Sequence, residues 1–303
     1  MSAPAAAPDL VVLTEPRYLA LDESDPYQRQ IRLEENLVID ALAARGLRVA
    51  RWAWSDPAAD WAAVGGALFR STWDYVEHFP AFMRWLDRAA TQTRLFNPAP
   101  LIRWNVDKHY LQALAAAGVA GVPTHFVERG ETTTLRAVMD TRGWETAVFK
   151  PVVSAGARLT YRVERAGVDV HDARFAACVA AEAMMVQRFE PAIVQSGELS
   201  LMVIDGRVTH AVRKCARAGD FRVQDDHGGT VHPHRASADE CAFARAAVAA
   251  CPSLPLYARV DVVRRADGTL QLMELELVEP ELFFRHHPPA AVALAEALIA
   301  RLG

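Results

Sequence analysis

The sequence of 303 residues lacks the marks of several protein classes. Its four cysteines form no C-x-x-C pair and accompany no paired-histidine motif, which argues against a zinc site and for a reduced setting. No run approaches the roughly 20 apolar residues of a membrane helix, and the start of the chain has neither the basic region nor the apolar stretch of a signal peptide. We therefore expect a cytoplasmic protein without a membrane partner.

Motifs for several kinds of chemistry are absent too. The sequence contains no H-E-x-x-H, no P-loop, no G-x-G-x-x-G and no convincing Ser-His-Asp or Cys-His arrangement. The net charge is −4 and the 33 basic residues are spread along the chain, so no nucleic-acid partner is expected. We interpret His232, His234, His286 and His287 as surface or loop residues and leave substrate contact open.

Strand and helix patterns alternate in the first third of the chain. The predicted elements are strands 10–13, 48–54 and 67–69 and helices 28–45 and 77–91. Such alternation is typical of a parallel α/β sheet. Prolines within 97–100 interrupt the pattern, because proline and the residue before it disfavour helix. We assign residues 1–8 to a disordered tail and residues 9–105 to an N-terminal α/β domain.

Two α+β units are predicted to follow. The first, residues 106–191, contains short strands and helices around an apolar strand that ends at Lys150. The second, residues 192–303, contains two hairpins, turned at Asp-Gly pairs, and a closing helix at 289–302. The predicted class is therefore mixed α/β, with a parallel N-terminal domain joined to two α+β subdomains.

The last hairpin separates charged from apolar residues with a period of two. Arg259 and Asp261 alternate with small apolar residues, while Glu274 and Glu276 alternate with apolar residues that include Met273. If the register aligns the charged faces, three carboxylates cluster and repel each other unless a cation is present. Hard oxygen ligands of this kind suit Mg²⁺. The alternative is a solvated acidic face, salt-bridged through Arg259.

Two lysines occupy positions where a phosphate can bind. Lys150 precedes a loop of small residues that includes Ser154 and Gly156, whose backbone N–H groups can approach oxyanions closely. Lys108 lies at the start of a helix predicted at 107–117. In isolation each is more simply interpreted as a surface lysine.

These segments together occur in the order and spacing of one family. The matching segments are Asn105-Val106-Asp107-Lys108, Val148-Phe149-Lys150-Pro151, Gln187-Arg188-Phe189-Glu190, Gly197-Glu198-Leu199-Ser200, Ala258-Arg259-Val260-Asp261 and Met273-Glu274-Leu275-Glu276. Across residues 9–303 the chain resembles ATP-grasp enzymes of the glutathione-synthetase-like branch. The resemblance implies an ATP-grasp fold with an N-terminal pre-ATP-grasp domain, a small lid subdomain at 106–191 and a large subdomain that carries the metal site.

The resemblance also assigns roles to residues. The implied nucleotide-binding residues are Lys108, Lys150, Ser154 and Gly156 at the phosphates, Gln187, Arg188 and Phe189 at adenine, and Glu198 at ribose. The implied ligands of two Mg²⁺ ions are Asp261, Glu274 and Glu276. Relatives often have asparagine at the third position, so Glu276 departs from the pattern. Arg213, Lys214 and Arg222 would stabilise the transferred phosphate and the acyl group.

Two further segments resemble a subgroup that includes the cyclo-ligase making D-cycloserine from O-ureidoserine. They are Arg70-Ser71-Thr72-Trp73-Asp74-Tyr75 and Trp104-Asn105-x-Asp107-Lys108. Arg70, Asp74 and Tyr75 follow a predicted strand at its carboxyl end, where open α/β sheets bind ligands, so we predict substrate contact. A capped turn with aromatic packing is the alternative.

The implied activity is that of an ADP-forming carbon–nitrogen ligase. A small-molecule, amino acid-like carboxylate would become an acyl phosphate that a nitrogen nucleophile captures. Three hypotheses stay open, namely intramolecular cyclisation, intermolecular amide or peptide ligation, and a nucleotide-binding module without ligase activity. The sequence identifies neither the substrate nor the oligomeric state, and a homodimer is left open.

Overall fold

The computed structural model describes residues 7–223 and 228–302. Within these residues the chain forms three sheets of four, four and five strands. Residues 1–6 of the predicted tail lie outside the described residues. No helix in the described part of the chain is long and apolar enough to cross a membrane.

The N-terminal unit is a parallel sheet with helices packed against it. Its elements are β1 (Leu10–Thr14), α1 (Pro26–Ala43), β2 (Val49–Ala53), β3 (Gly66–Ser71), α2 (Phe79–Gln92), β4 (Arg94–Phe96) and α3 (Ala99–Asn105). The strand order is β2-β1-β3-β4, and every pairing is parallel. Burial on both faces explains why β1 and β3 are continuously buried. The parallel α/β prediction for this unit is confirmed.

The second unit is an antiparallel sheet with three helices. Its elements are α4 (Tyr110–Ala116), β5 (Thr124–Val127), α5 (Leu135–Arg142), β6 (Thr146–Pro151), β7 (Tyr161–Glu164), α6 (Asp169–Ala181) and β8 (Met184–Arg188). The strand order is β5-β8-β6-β7. Strand β6 therefore lies in the middle of the sheet and directs Lys150 from its carboxyl end.

The third unit is a five-stranded antiparallel sheet. Its elements are α7 (Ala192–Gln195), β9 (Glu198–Ile204), β10 (Arg207–Cys215), β11 (Thr230–His234), α8 (Ala238–Ala249), β12 (Tyr257–Arg264), β13 (Leu270–Glu276) and α9 (Pro289–Leu302). The strand order is β11-β10-β9-β12-β13, so the predicted charged hairpin forms one edge of the sheet. Helix α8 begins with a capping box between Ser237 and Glu240.

Two asparagine side chains join the N-terminal unit to the last hairpin. Asn97 Nδ2 donates to the carbonyls of Tyr257 (3.0 Å) and Leu277 (2.8 Å). Asn105 Nδ2 donates to Leu275 O (2.8 Å), and its Oδ1 accepts from Leu277 N (2.7 Å). Each sheet lies within one predicted range, and the boundaries at 105 and 191 stay predictions.

Several elements were not predicted from the sequence. Strands β4 and β7 are short, and β11 lies in a segment expected to be a loop. A bulge between Asp261 and Val262 interrupts the register, and Met273 is the extra residue on β13. Met273 therefore lines the cleft described below instead of the core face expected from strict alternation, so that part of the prediction was wrong.

Candidate active site

A cleft of about 540 Å³ is lined by residues from all three units. The N-terminal unit contributes Trp73 and Tyr75, and the second unit contributes Lys150 with its small-residue loop. The third unit contributes the charged face of the β12–β13 hairpin. The cleft therefore brings together segments that are far apart in the sequence, from Arg17 to Phe283.

The β12–β13 hairpin places its carboxylates side by side, as expected. Asp261 lies opposite Glu274, and Arg259 lies opposite Glu276. Arg259 binds both neighbours: its Nη2 lies 2.9 Å from Asp261 Oδ2 and forms an ion pair with Glu276 Oε1. Three carboxylates and one guanidinium thus share the same face, and Arg259 is the internal counter-ion of two of them.

The pKa values of these carboxyls follow from burial and from their neighbours. Burial raises the pKa of Asp261, but Arg259 and Lys214 outweigh it and lower the pKa to about 2. Burial likewise opposes Lys108 and Lys150 at Glu274, and the lysines again prevail and lower the pKa. Burial together with the charges of the other two carboxylates raises the pKa of Glu276 to about 7. The neighbouring cations therefore favour the ionised forms of Asp261 and Glu274, whereas burial and the other carboxylates favour the neutral form of Glu276.

Lys108 and Lys150 converge on one of these carboxylates. Lys108 Nζ lies 3.1 Å from Glu274 Oε1 and donates to Ser154 O (2.6 Å), while Lys150 Nζ lies 3.8 Å from Glu274 Oε2. Burial and the charge of Lys108 lower the pKa of Lys150. The loop residue Gly156 lines the same cleft with a positive φ of 58°. The two predicted phosphate-binding lysines are therefore neighbours in space.

A second buried network lies beneath the cleft. Lys214 Nζ forms an ion pair with Glu198 and lies 3.2 Å from Asp261 Oδ2. Ser200 donates its hydroxyl to Asp261 Oδ1 at 2.6 Å. The side chains of Lys214 and Glu198 are only 6% and 8% exposed, so each needs the other as a counter-ion. The predicted ribose-binding role of Glu198 stays a prediction.

The donor set suits a divalent cation by its chemistry. Asp261, Glu274 and Glu276 provide hard oxygen ligands on one face of one hairpin. Each carboxylate is also bound by a protein cation, and no group of three potential ligands in the described ranges 7–223 and 228–302 is arranged as a metal site. The residues fit Mg²⁺ if these side chains turn toward it, and the assignment stays a prediction.

The predicted adenine segment also lines the cleft. Gln187 is buried and donates to the Thr124 hydroxyl at 3.0 Å. Phe189 contacts the ring of Phe221 edge-on at 6.2 Å, and the guanidinium carbon of Arg162 lies 4.1 Å from its centroid. The structure thus brings Gln187, Arg188 and Phe189 to the same opening as the lysines.

The three predicted catalytic cations are placed differently. Lys214 and Arg222 line the cleft, and Arg222 forms a bidentate contact with Asp220. Arg213 does not line it: its Nη1 donates to Ser196 O on the other side of β10. Neighbouring residues of a strand face opposite sides of the sheet, so Arg213 and Lys214 cannot both reach the cleft. This placement does not support the catalytic prediction for Arg213.

The three predicted substrate residues also lie in different places. Tyr75 lines the cleft. Arg70, 4% exposed, lines an adjoining cavity of about 30 Å³, and its Nε and Nη1 find no hydrogen-bond partner among the described residues. Asp74 lines neither cavity, because its carboxylate accepts from Trp54 Nε1 (2.7 Å) in the core. Substrate contact by Asp74 is therefore not supported.

Sequence reasoning missed two residues of the cleft wall. Arg259 was weighed only as a salt-bridge partner on a surface face, yet it is 9% exposed and faces the cleft. Glu279 was not predicted as a site residue, yet it lines the cleft and is 7% exposed. The alternation Arg-x-Asp could have placed Arg259, whereas no local pattern marks Glu279.

Family models match two parts of the chain. Residues 10–97 match the model described as D-cycloserine synthetase DcsG, N-terminal domain. Residues 119–262 match the model described as prokaryotic glutathione synthetase, ATP-grasp domain. The two matches fall on the parallel N-terminal unit and on the two antiparallel units that enclose the cleft.

Similar proteins cover nearly the whole chain. The cycloserine biosynthesis protein DcsG of Streptomyces lavendulae is 32% identical over 284 residues, or 88% of this chain and 92% of that protein. The crystal structure of D-cycloserine synthetase DcsG has a TM-score of 0.82 at 29% identity and covers 97% of this chain and 99% of that one.

The fold extends to more distant enzymes. The ATP-grasp ligase PsnB, solved with a minimal precursor, Mg and ADP, has a TM-score of 0.61 at 17% identity, with 97% of this chain and 98% of that one covered. The expected ATP-grasp fold and ligase class are confirmed. This chain therefore belongs to the ATP-grasp superfamily of carbon–nitrogen ligases and, within it, to the family of the D-cycloserine synthetase DcsG.

Proposed function

We propose that this ATP-dependent ligase activates the carboxylate of an amino acid-like small molecule and closes a ring through a nitrogen of the same molecule. The observation that supports this most is the similarity to a protein named D-cycloserine synthetase, which extends through the N-terminal domain. That domain contributes Trp73 and Tyr75 to the cleft, so the match includes the region where a substrate is expected.

The chemistry needs no protein nucleophile. A carboxylate oxygen of the substrate attacks the γ-phosphorus of ATP, the bond to the bridging oxygen breaks, and ADP leaves. The nitrogen then attacks the acyl carbon, the bond from that carbon to the phosphate oxygen breaks, and the nitrogen loses a proton as phosphate leaves. With O-ureidoserine the ring nitrogen still bears a carbamoyl group, and water must remove it as carbamic acid to give cycloserine.

Fixed cations on the protein would provide most of the catalysis. Lys108 and Lys150 are neighbours at Glu274 and would turn to bind the nucleotide phosphates. Arg222 lines the same cleft and would bind the acyl phosphate. Two Mg²⁺ ions, held by Asp261, Glu274 and Glu276, would neutralise charge on the phosphoryl oxygens. Positioning and electrostatics of this kind are sufficient for phosphoryl transfer.

Arg70 is proposed to bind a polar group of the substrate. Arg70 has two unsatisfied buried nitrogens and lines a cavity that shares Tyr27, Trp73 and Glu281 with the cleft. A volume of about 30 Å³ accommodates roughly two or three non-hydrogen atoms. An acceptor such as a carbonyl or carboxylate oxygen would satisfy these donors.

The test is a substrate screen read by nucleotide products. The protein is incubated with Mg·ATP and O-ureidoserine, alone and with added amines, and ADP, AMP, phosphate and ammonia are measured. ADP release with the lone substrate, together with a cyclic product by mass spectrometry, supports ring closure. Strict dependence on an added amine would instead support intermolecular amide ligation.

Two outcomes would contradict the proposed reaction itself, and not only the choice of nucleophile. Formation of AMP would exclude the acyl-phosphate route. Absence of any nucleotide turnover across a broad panel of carboxylates would favour the nucleotide-binding module. The clustered lysines and carboxylates weigh against that last reading, because a module that only binds nucleotide does not require Asp261, Glu274 and Glu276 together.

A further inference from the structure

Glu279 is a buried acid in the cleft wall whose carboxyl group has no counter-ion. Its side chain lines the cleft and is 7% exposed. Within residues 7–223 and 228–302 its carboxyl group forms no ion pair and accepts a hydrogen bond only from its own backbone N–H. The neighbouring acids differ, since Asp261, Glu274 and Glu276 each contact a lysine or an arginine. Buried acids without a counter-ion are costly, and native proteins keep them mainly at functional positions.

The backbone around Glu279 is fixed from both sides. Trp73 Nε1 donates to Glu279 O at 3.1 Å, and the Tyr257 hydroxyl donates to Val278 O at 2.7 Å. Pro280 follows directly and restricts the preceding residue to extended conformations. The position of Glu279 is therefore set by the fold and not by a contact of its own side chain.

The surroundings of Glu279 are suited to a cation. Burial and the charge of Glu276 raise the pKa of Glu279 to about 8, and Lys108 opposes this only partly. Trp73, which holds the backbone of Glu279, contacts Tyr18 at 5.8 Å and Tyr27 at 6.2 Å, and all three rings line the cleft. Aromatic faces beside an acid are a recurrent setting for ammonium groups.

We propose that Glu279 binds the α-ammonium group of the substrate. This assignment rests on the proposed function, in which an amino acid-like carboxylate enters the cleft. The protein's own cations are committed elsewhere, Arg259 to Asp261 and Glu276, and Lys214 to Glu198. The substrate is then the source of the missing counter-charge, and Glu279 selects amino acids over simple carboxylates.

The experiment compares two substrates that differ only in the amine. O-ureidoserine and its desamino analogue, 3-(ureidooxy)propanoic acid, are assayed with wild type and Glu279→Gln. We expect the substitution to reduce kcat/KM for O-ureidoserine by about 10- to 100-fold and to leave that for the analogue unchanged. The KM for ATP should stay within about twofold. Glu279→Asp, which keeps the charge, should retain part of the preference for the amine.

Glu77→Gln is the matched control, because Glu77 lines the same cleft but is exposed. It should not change the preference for the amine. An equal loss for both substrates in Glu279→Gln would overturn the proposal, and so would a loss confined to the KM for ATP. The melting temperature of Glu279→Gln shows whether this variant folds. If it does not fold, the substrate preference of Glu279→Asp tests the proposal instead.

A separate measurement distinguishes failure of this inference from failure of the proposed function. If wild type turns over neither compound, ring closure of O-ureidoserine is excluded. Isothermal titration of both compounds into the MgADP-loaded protein then tests Glu279 alone. Wild type must bind O-ureidoserine at least about tenfold more tightly than the desamino analogue, and Glu279→Gln must bind the two compounds equally well. Any other result shows that the assignment is wrong.

Discussion

Replacing Lys214 by methionine is expected to destabilise the fold, because it removes the counter-ion of a buried acid. Lys214 Nζ contacts both Glu198 and Asp261. Asp261 retains Arg259 and the hydroxyl of Ser200 in the variant. Glu198, whose side chain is 8% exposed, retains no other ion pair or hydrogen bond from its carboxylate in the described part of the chain. The substitution therefore leaves one buried charge, that of Glu198, without a counter-ion.

Two limits set the size of the effect. Removal of one partner from a buried ion pair typically costs about 3–5 kcal/mol. Glu198 can escape by binding a proton, and at pH 7.5 neutralising an ordinary glutamate costs about 4 kcal/mol. We therefore expect a loss of about 3–4 kcal/mol in the free energy of unfolding. Burial already raises the pKa of Glu198 in the wild type, and loss of Lys214 raises it further. The deficit therefore grows as pH rises and shrinks, by at most about 1.4 kcal/mol per unit, as pH falls toward the wild-type pKa of Glu198.

The assay is urea unfolding at 25 °C followed by the fluorescence of the seven tryptophans. Lys214→Met, Glu198→Gln and the double variant complete a cycle, and the double variant should be more stable than the sum of the singles by at least about 2 kcal/mol. The exposed pair Arg301–Asp205 is the control, with an expected coupling of at most about 1 kcal/mol. Additive effects at the buried pair, or a deficit that does not change with pH, would refute the reasoning.

Three further outcomes are expected. Glu274→Gln should abolish ADP release while the melting temperature stays within a few degrees, and full activity would show that the metal assignment is wrong. Burial and His287 lower the pKa of His210 to about 4, so the stability it provides is lost as pH falls from about 6.5 to 4, and His210→Gln should flatten the dependence of unfolding on pH by about 1–2 kcal/mol. Gly197→Ala should cost at least about 2 kcal/mol in urea unfolding, since φ is +79° and the new Cβ would lie 2.6 Å from Lys214 O, whereas Gly46→Ala, with φ of +87° and open space, should cost less.

The order of elements was largely predictable, because it depends on local periodicity. Strands β1, β2 and β3, helices α1 and α2 and both hairpins were located to within about two residues. Helix α3 was missed, because it begins at Ala99 among the prolines that were expected to disfavour helix, and proline is tolerated in the first turn of a helix. Strands β4, β7 and β11 were not, since they are three to five residues long and gain their stability from neighbours in the sheet. The bulge at Met273 was also invisible, because it depends on pairing between two strands.

The sequence by itself determined the chemistry available to this protein. A period of two placed Asp261, Glu274 and Glu276 on one face, and the segments around Lys108 and Lys150 marked the family. These features depend only on residues that are close in the sequence, so they can be recognised without the folded structure. They establish which groups can act, and the comparisons with DcsG confirmed the class of enzyme.

Only the tertiary structure decided which charges have partners. Arg259 is shared by two carboxylates, Arg213 is turned away from the cleft, and Asp74 is held in the core by Trp54. The carboxyl group of Glu279 has no ion-pair partner among the described residues. Which counter-ion a charged group meets depends on distances in the folded chain, often between residues that are tens to hundreds of positions apart in the sequence. Desolvation makes a buried charge without a counter-ion strongly unfavourable. A short stretch of sequence shows neither these distances nor the extent of desolvation.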